Sequence, residues 1–401
     1  MNRIAVLAYS GGLDTSCAIA WLKEDYDFDE VIAVLVDVGQ DTDFEPAFAR
    51  GRAAGADDVL LVDRKDAFAD EQVAKALAAN ALYEGKYPLI SALSRPVIAD
   101  AVAEIALDVG AEAVVHGCTG KGNDQLRFEL AFKARYPGVR VIAPLRDRNW
   151  TRDDEIEYAQ SRGIPVEAKQ ESPYSIDDNL FGRAIEAGSL EDPWVAPPED
   201  AFALTSSPAA APAPDEIVLE FARGLPVALD GEDLYLAELI AALNERAGAY
   251  GIGRIDMVED RAVGIKSREL YEAPAALTLI PAHQALEELV LTKAELETKR
   301  SLEPVWAKIV YDGLWFSPLR AALDAFVAKT QELVSGEVRV RLQPAAPAVV
   351  GRRSENALYA HALASYGADD AFPHDAAEGF LRIAAMEVEL AAARERKLAH
   401  A

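Results

Sequence analysis

Short apolar runs alternate with amphipathic stretches through the first 165 residues. Ile4–Ala8 is an apolar run, and Asp14–Leu22 has helical spacing. Val31–Val36 is apolar and β-branched, as a strand buried on both faces should be. Phe44–Ala54 reads as helix, Val59–Val62 as strand and Phe68–Ala79 as helix. Ser94-Arg95-Pro96 opens a further helix running to about Val109, with Pro96 suited to its first turn. Ala113–His116 reads as strand, Asp124–Ala134 as helix, Val139–Ala143 as strand and Thr151–Ser161 as helix. Such βα alternation predicts an α/β fold with a doubly wound parallel sheet.

The pattern then changes. Residues 170–216 carry Pro173, Pro193, Pro197, Pro198, Pro208, Pro212 and Pro214 among small residues. This reads as a long irregular crossing with a mobile part near Ser206–Pro214. Strand pairs follow, Ile217–Ala222 with Val227–Leu229 and Ile255–Val258 with Val263–Ile265. Lys293–Val310 and Leu319–Val334 are long helices, and Val338–Leu342 with Ala348–Gly351 looks like another hairpin. The second region is therefore α+β. Asp375–Leu398 closes the chain as an amphipathic helix with Phe380, Ile383, Met386, Val388 and Leu390 on its apolar stripe. Such a terminal stripe docks on another subunit or on its own chain. The predicted boundaries are 1–168, 169–364 and 365–401.

A composition of 51% hydrophobic residues is that of a globular chain. No run of about 18 apolar residues exists to span a bilayer, and the N-terminus enters a strand instead of a signal peptide. We expect a cytoplasmic protein with no membrane partner. The net charge of −27 repels nucleic acid over most of the surface. An anionic substrate would then need dedicated donors. Cys17 and Cys118 form no CxxC pair, and small packed side chains are a better reading of them than nucleophiles. His116 ends a strand beside a glycine loop and reads as packing or support, and His283, His361, His374 and His400 show no metal spacing.

Two strings carry chemistry. Ala8-Tyr9-Ser10-Gly11-Gly12-Leu13-Asp14-Thr15-Ser16 follows the first strand and opens a helix. Paired glycines let the backbone turn sharply and present N–H groups; Ser10, Thr15 and Ser16 add hydroxyls. The helix start supplies unpaired N–H groups and a dipole that favours anions. Asp14 can cap the helix or hold Mg²⁺. The string is a phosphate cradle, but not the GxxxxGK[ST] kind. The second string runs from His116 through Gly117, Cys118, Thr119, Gly120, Lys121, Gly122, Asn123, Asp124, Gln125, Leu126 and Arg127 to Phe128, again between strand and helix. Three glycines allow close approach to a ligand, and Thr119, Asn123, Asp124 and Arg127 offer donors, an acceptor and a fixed cation. A locally positive cleft built by Arg95, Lys121, Arg127 and the helix start after Gly12 is expected.

SGGLDTS resembles the PP-motif of the ATP pyrophosphatase superfamily, whose members split ATP between the α and β phosphates. HGxTGKGNDQxRFE resembles the signature of the argininosuccinate synthase family. The resemblance continues through Tyr83–Leu89, Ser172–Leu180, Gly251–Asp256, Glu259–Arg261 and Gly264–Glu272, and so covers most of the chain. It implies a ligase of arginine biosynthesis that joins L-citrulline to L-aspartate through a citrullyl-AMP intermediate, releasing AMP and pyrophosphate. Carried over by position, Ala8–Ser16, Val36 and Gly117 bind ATP. Thr119, Asn123 and Asp124 bind aspartate. Tyr87, Asn123, Arg127, Ser175, Glu259 and Tyr271 bind citrulline. Asp14 and Asp124 are the candidate catalytic carboxylates, and Mg²⁺ accompanies ATP. The resemblance also implies an ATP-binding first domain, a synthetase second domain, an oligomerisation helix and a homotetramer. Two hydroxyls common in the family are Ala92 and Ala184 here; Ser91 is adjacent but shifted by one.

The family route suits the residues present. A ureido oxygen is a poor leaving group, so it must be activated, and phosphoryl chemistry needs alignment and charge stabilisation more than a nucleophile. The base for the aspartate amine stays open between Asp124 and the AMP phosphate. Rival readings are a tRNA-modifying or amide-forming ATP pyrophosphatase and a non-catalytic nucleotide sensor. The first needs a basic RNA-facing surface, which an acidic chain argues against; a glutamine-dependent amide-forming enzyme needs a nucleophilic cysteine, and none is evident.

Overall fold

The computed structural model describes residues 2–148, 150, 152–165 and 173–400. Thr151, Ser172 and the 168/169 boundary lie outside the described residues. Five parallel strands form the first sheet: β1 (Ile4–Ala8), β2 (Glu30–Asp37), β3 (Asp58–Asp63), β4 (Ala113–His116) and β5 (Arg140–Ile142), in the order β3-β2-β1-β4-β5. β1, β2 and β4 are buried along nearly their whole length, which explains their unbroken apolar runs. The order reverses between β1 and β4. In open α/β sheets, ligands bind beyond the carboxyl ends of the strands at such a point.

Two antiparallel sheets follow. One contains β6 (Ser175–Asn179), β7 (Gly182–Glu186), β11 (Arg254–Asp260) and β12 (Lys266–Glu272), in the order β11-β12-β7-β6. The other contains β8 (Asp215–Ala222), β9 (Leu225–Leu229), β10 (Glu232–Asp233), β13 (Gly336–Gln343) and β14 (Ala346–Arg353), in the order β10-β9-β8-β13-β14. Helices Leu236–Gly248, Pro274–Val290, Lys293–Tyr311 and Pro318–Gln331 belong to the same region. An α/β sheet domain joined to an α+β region is the expected fold class. Chain contacts divide the protein into Met1–Asn356 and Ala357–Ala401. The second unit contains the helix His374–Ala399. Among the described residues, no helix is long and apolar enough to cross a membrane.

Several expectations need correction. The helix expected from Ser94 begins at Ile90, so Pro96 lies inside it and not in its first turn. Burial of Ile90, Ala92, Leu93 and Val97 outweighs the hydrogen bond that Pro96 cannot donate. Within the expected helix Phe68–Ala79, the stretch Phe68–Val73 is a π-helical turn. The crossing segment is not wholly irregular, because it holds the β6–β7 hairpin. Ser206–Pro214 is tied down: Ser206 N–H donates to Gly248 O at 2.9 Å and Tyr250 Oη to Ala213 O at 3.0 Å. The partner of β11 is Lys266–Glu272, and residues 261–265 form the turn between them.

Candidate active site

Parallel register places Ala8 beside His116, so the loops that follow β1 and β4 leave the sheet next to each other. They also touch. A Cβ on Gly117 would lie 2.5 Å from Thr15 Cγ2, and one on Gly11, at φ +78°, would lie 2.5 Å from Ala47 Cβ. Both glycines are therefore set by close approach. Within the first loop, Ser10 Oγ lies 3.1 Å from Thr15 Oγ1 and accepts from Gly12 N–H at 3.3 Å. Thr15 and Ser16 hydroxyls donate to Gly12 O at 3.3 and 2.7 Å. Tyr9 Oη lies 3.0 Å from Ser16 Oγ and donates to Ala47 O at 3.1 Å. The helix Leu13–Glu24 starts here with Gly12 as its N-cap and Asp14 in its first turn.

These loops form one side of a cleft of about 550 Å³. The opposite side comes from the sheet β11-β12-β7-β6. Antiparallel register puts Glu259 across from Ser267, Met257 from Glu269, Tyr271 from Ala184, Asp177 from Ala184 and Ser175 from Glu186. Strand alternation turns Glu259, Glu269, Tyr271, Ala184, Glu186, Ser175 and Asp177 to the same cleft.

Of the residues singled out in the sequence, Ala8, Tyr9, Ser10, Thr15, Val36, Tyr87, Gly117, Thr119, Asn123, Asp124, Arg127, Ser175, Glu259 and Tyr271 line this cleft. Gly11, Gly12, Leu13, Asp14 and Ser16 are not in its lining; they form the turn and first helical residues behind it. Ser91 and Ala184 line it, whereas Ala92 does not. Asp177, Glu186, Arg261 and Glu269 join the lining without having been singled out. Tyr311 was also missed; it lies outside the lining but bonds to residues within it.

The expected positive cleft is not what the lining shows. Arg95, Arg127 and Arg261 face Asp124, Asp177, Asp178, Glu186, Glu259 and Glu269, and Lys121 is an exposed residue outside the lining. The arginines are paired. Arg95 Nη2 lies 2.7 Å from Asp124 and 2.8 Å from Asp177, and Arg127 Nη1 donates to Asp124 at 2.8 Å. Asp124 is thus clasped on both oxygens by guanidinium groups, which hold it below the usual carboxylate range despite its burial. Arg261 pairs with Glu186 and, at 2.8 Å, with Glu269. Burial, with Glu186 close by, pushes Glu269 up to about 7. Glu259 accepts from Tyr271 Oη at 2.6 Å and Tyr311 Oη at 2.5 Å. Burial raises its pKa, and the two phenols, Arg127 and Arg261 oppose that rise.

Arg127 is the most informative cation. It is almost fully buried, its Nε donates to Tyr311 O at 3.1 Å, and its Nη2 has no partner among the described residues. Tyr87 is buried, accepts from Ser91 N–H at 2.9 Å and stacks on Tyr271 with centroids 4.1 Å apart. His116 Nδ1 accepts from Cys118 N–H at 3.2 Å, and burial lowers its pKa to about 4, so the ring is a neutral prop for the second loop. Cys118 is not simply packed away: it lines the cleft, where burial raises its pKa and keeps it a thiol.

The chain matches two family models, one described as the arginosuccinate synthase N-terminal HUP domain over residues 4–165 and the other as the arginosuccinate synthase C-terminal domain over residues 174–391. It is 54% identical to the argininosuccinate synthase of Brevibacillus brevis over 379 residues, covering 94% of this chain and 90% of that one. Identity is 52% to the argininosuccinate synthase of Bacillus subtilis, covering 95% of this chain and 94% of the other. For that of Synechococcus sp. RCC307 it is 50%, covering 100% and 98%. With glycine loops meeting at the sheet's switch point, and with such likeness along both halves, the chain belongs to the argininosuccinate synthase family.

Proposed function

We propose that the protein ligates L-citrulline to L-aspartate at the expense of ATP, in the cleft between the parallel sheet and the β11-β12-β7-β6 sheet. One observation carries the reading: the cleft has two chemically different ends. The Ser10 and Thr15 hydroxyls, backed by the glycine turn and a helix start, form one end, which suits phosphate. Alternating arginines and carboxylates form the other, which suits zwitterionic amino acids better than a second polyanion.

Ser10, the Gly11–Gly12 turn, Thr15 and the first-turn N–H groups would hold the β and γ phosphates, with Gly117 against the nucleotide and Val36 beside the adenine. The residues fit a phosphate-bridged Mg²⁺ and not a resident ion. Asp14 offers one carboxylate in the first helical turn, and phosphate oxygens and water would complete the shell. Arg127 Nη2 would take the citrulline carboxylate and Glu259 its ammonium, with Tyr87, Asn123, Ser175 and Tyr271 around them. Thr119, Asn123 and Asp124 would hold aspartate.

The citrulline ureido oxygen then attacks the α-phosphorus, forming the P–O bond as the bond to pyrophosphate breaks. The aspartate amine next attacks the ureido carbon and loses a proton, and AMP leaves with the ureido oxygen. Two guanidinium groups make Asp124 a weak base, so we assign that proton to the departing AMP phosphate and give Asp124 the task of orientation. We further propose that residues 1–168 form the ATP-binding domain and 169–364 the synthetase domain. The helix within 365–401 would serve oligomerisation, in a cytoplasmic homotetramer. Pyrophosphate release from ATP tests the activity: it should require citrulline and aspartate together for sustained turnover. Equal release without either amino acid would refute the reading.

A further inference from the structure

Three groups proposed to hold citrulline converge on one residue outside the cleft lining. Tyr311 ends the helix Lys293–Tyr311, and its side chain is fully buried. Its hydroxyl donates to Glu259 Oε1 at 2.5 Å and accepts from Asn123 Nδ2 at 2.8 Å. Its carbonyl accepts from Arg127 Nε at 3.1 Å, and the Arg127 guanidinium lies 5.0 Å from its ring centroid. The ring's stacking partner is Tyr83, with centroids 3.5 Å apart and planes 5° from parallel. Tyr83 in turn donates to Asp260 O at 2.7 Å, next to Glu259.

The hydrogen bonds have a fixed sense. Asn123 Oδ1 accepts from Ala262 N–H at 2.9 Å, so its amide nitrogen must face Tyr311. The phenol oxygen therefore accepts from Asn123, and its one proton goes to Glu259. Tyr271 donates to the other oxygen of the same carboxylate. Glu259 is left as an acceptor at both oxygens, which is the form an ammonium requires.

Resting on the citrulline reading of this cleft, we propose that Tyr311 is a positioning residue for citrulline. Its hydroxyl relays the polarity of Asn123 to Glu259 and holds that carboxylate as a pure acceptor, while its carbonyl sets the plane of the Arg127 fork. One residue thereby fixes the groups for both ends of the amino acid. The charged groups facing Glu259 are Arg127 and Arg261, with Glu269 as the other carboxylate and Tyr83, Tyr87 and Tyr271 as the remaining phenols. None of these replaces the bond that Tyr311 makes to Oε1.

The test is Tyr311→Phe, which keeps the ring, the Tyr83 stack and the backbone carbonyl. A lost hydrogen bond to a charged group should raise the citrulline KM by roughly tenfold or more, with the ATP KM close to the parent's and the melting temperature somewhat lowered, because Glu259 and Asn123 each lose a buried partner. Glu259 also loses a donor that favours its ionised form, so the acid limb of kcat/KM for citrulline should move to higher pH. Incorporation of 3-fluorotyrosine at 311 gives a more acidic phenol of nearly the same shape and should move that limb to lower pH. If the Phe variant does not fold, the fluorotyrosine enzyme decides alone. An unmoved acid limb, or equal rises in both KM values, overturns the role of Tyr311. Absence of any citrulline dependence in the parent enzyme would instead overturn the reading of the cleft.

Discussion

Replacing Arg127 by lysine separates a shaped binding group from a mere positive charge. Arg127 spends Nη1 on Asp124, Nε on the Tyr311 carbonyl, and has Nη2 buried without a partner among the described residues. Lysine has one nitrogen at the end of a flexible stem. If it keeps the Asp124 ion pair, it abandons the Tyr311 carbonyl and the donor assigned to citrulline. A charge-assisted hydrogen bond contributes about 1.5–3 kcal/mol, so the citrulline KM should rise roughly 10- to 150-fold. The stranded buried carbonyl should cost about 1–3 kcal/mol of stability. The ATP KM should stay within about twofold, because the cradle loop does not bond to Arg127; the tenfold scale of a single lost contact sets that margin. Steady-state pyrophosphate release, titrated separately with citrulline and ATP, measures both constants. Equal losses for the two substrates would show general damage to the loop, and an unchanged citrulline KM would remove Arg127 from the site.

Three other substitutions probe separate parts of the account. Asp14→Asn should lower kcat far more than it weakens ATP binding, since an ion held on the leaving pyrophosphate matters most as charge develops; unchanged turnover with a less stable helix would make Asp14 only a structural residue. Gly117→Ala should raise the ATP KM and spare that of citrulline. Its Cβ would meet Thr15 Cγ2 at 2.5 Å, and turning Thr15 aside pulls its hydroxyl from Ser10; overpacking of this kind costs about 1–3 kcal/mol, and equal effects on both substrates would contradict the assignment. Lys299→Ala should destabilise the fold by about 3–5 kcal/mol in urea, because Lys299 is fully buried and bridges Glu287 at 2.9 Å and Glu303 at 2.8 Å; a loss below about 1 kcal/mol, the scale of an exposed pair, would show that water reaches the cluster.

Legibility in the sequence followed the distribution of function along the chain. Ser10–Ser16 and His116–Phe128 are contiguous and sit where a strand gives way to a helix, so both loops could be read directly. Their meeting could not, because it depends on β1 and β4 becoming neighbours across more than a hundred residues. The hairpin β6–β7 escaped because Ser175-Ile176-Asp177-Asp178-Asn179 is polar and stands in a proline-dense region. β12 was misplaced for a related reason. Its cleft-lining positions are Glu269 and Tyr271, so the apolar alternation that marks a strand fails where the site needs polar groups. Tyr311 had no local signal at all; its neighbours suggest only a helix, and its role follows from a fold that brings it to Asn123, Arg127 and Glu259. The positive cleft was wrongly expected because sequence shows cations without their partners: Asp124 is close in sequence to Arg127, but Asp177 reaches Arg95 only through the β6–β7 hairpin.

The fate of one oxygen atom tests the central claim most directly. On the proposed assignment, phosphates held by the Ser10–Ser16 cradle would leave the α-phosphorus facing the Thr119–Arg127 loop, so citrulline would attack from that side and its ureido oxygen would become bonded to phosphorus. Citrulline carrying ¹⁸O in the ureido group, turned over with ATP and aspartate, should yield AMP heavier by that one atom in mass spectrometry. Unlabelled AMP would contradict the adenylate route, and label in pyrophosphate would mean attack at the β-phosphate and a misplaced cradle.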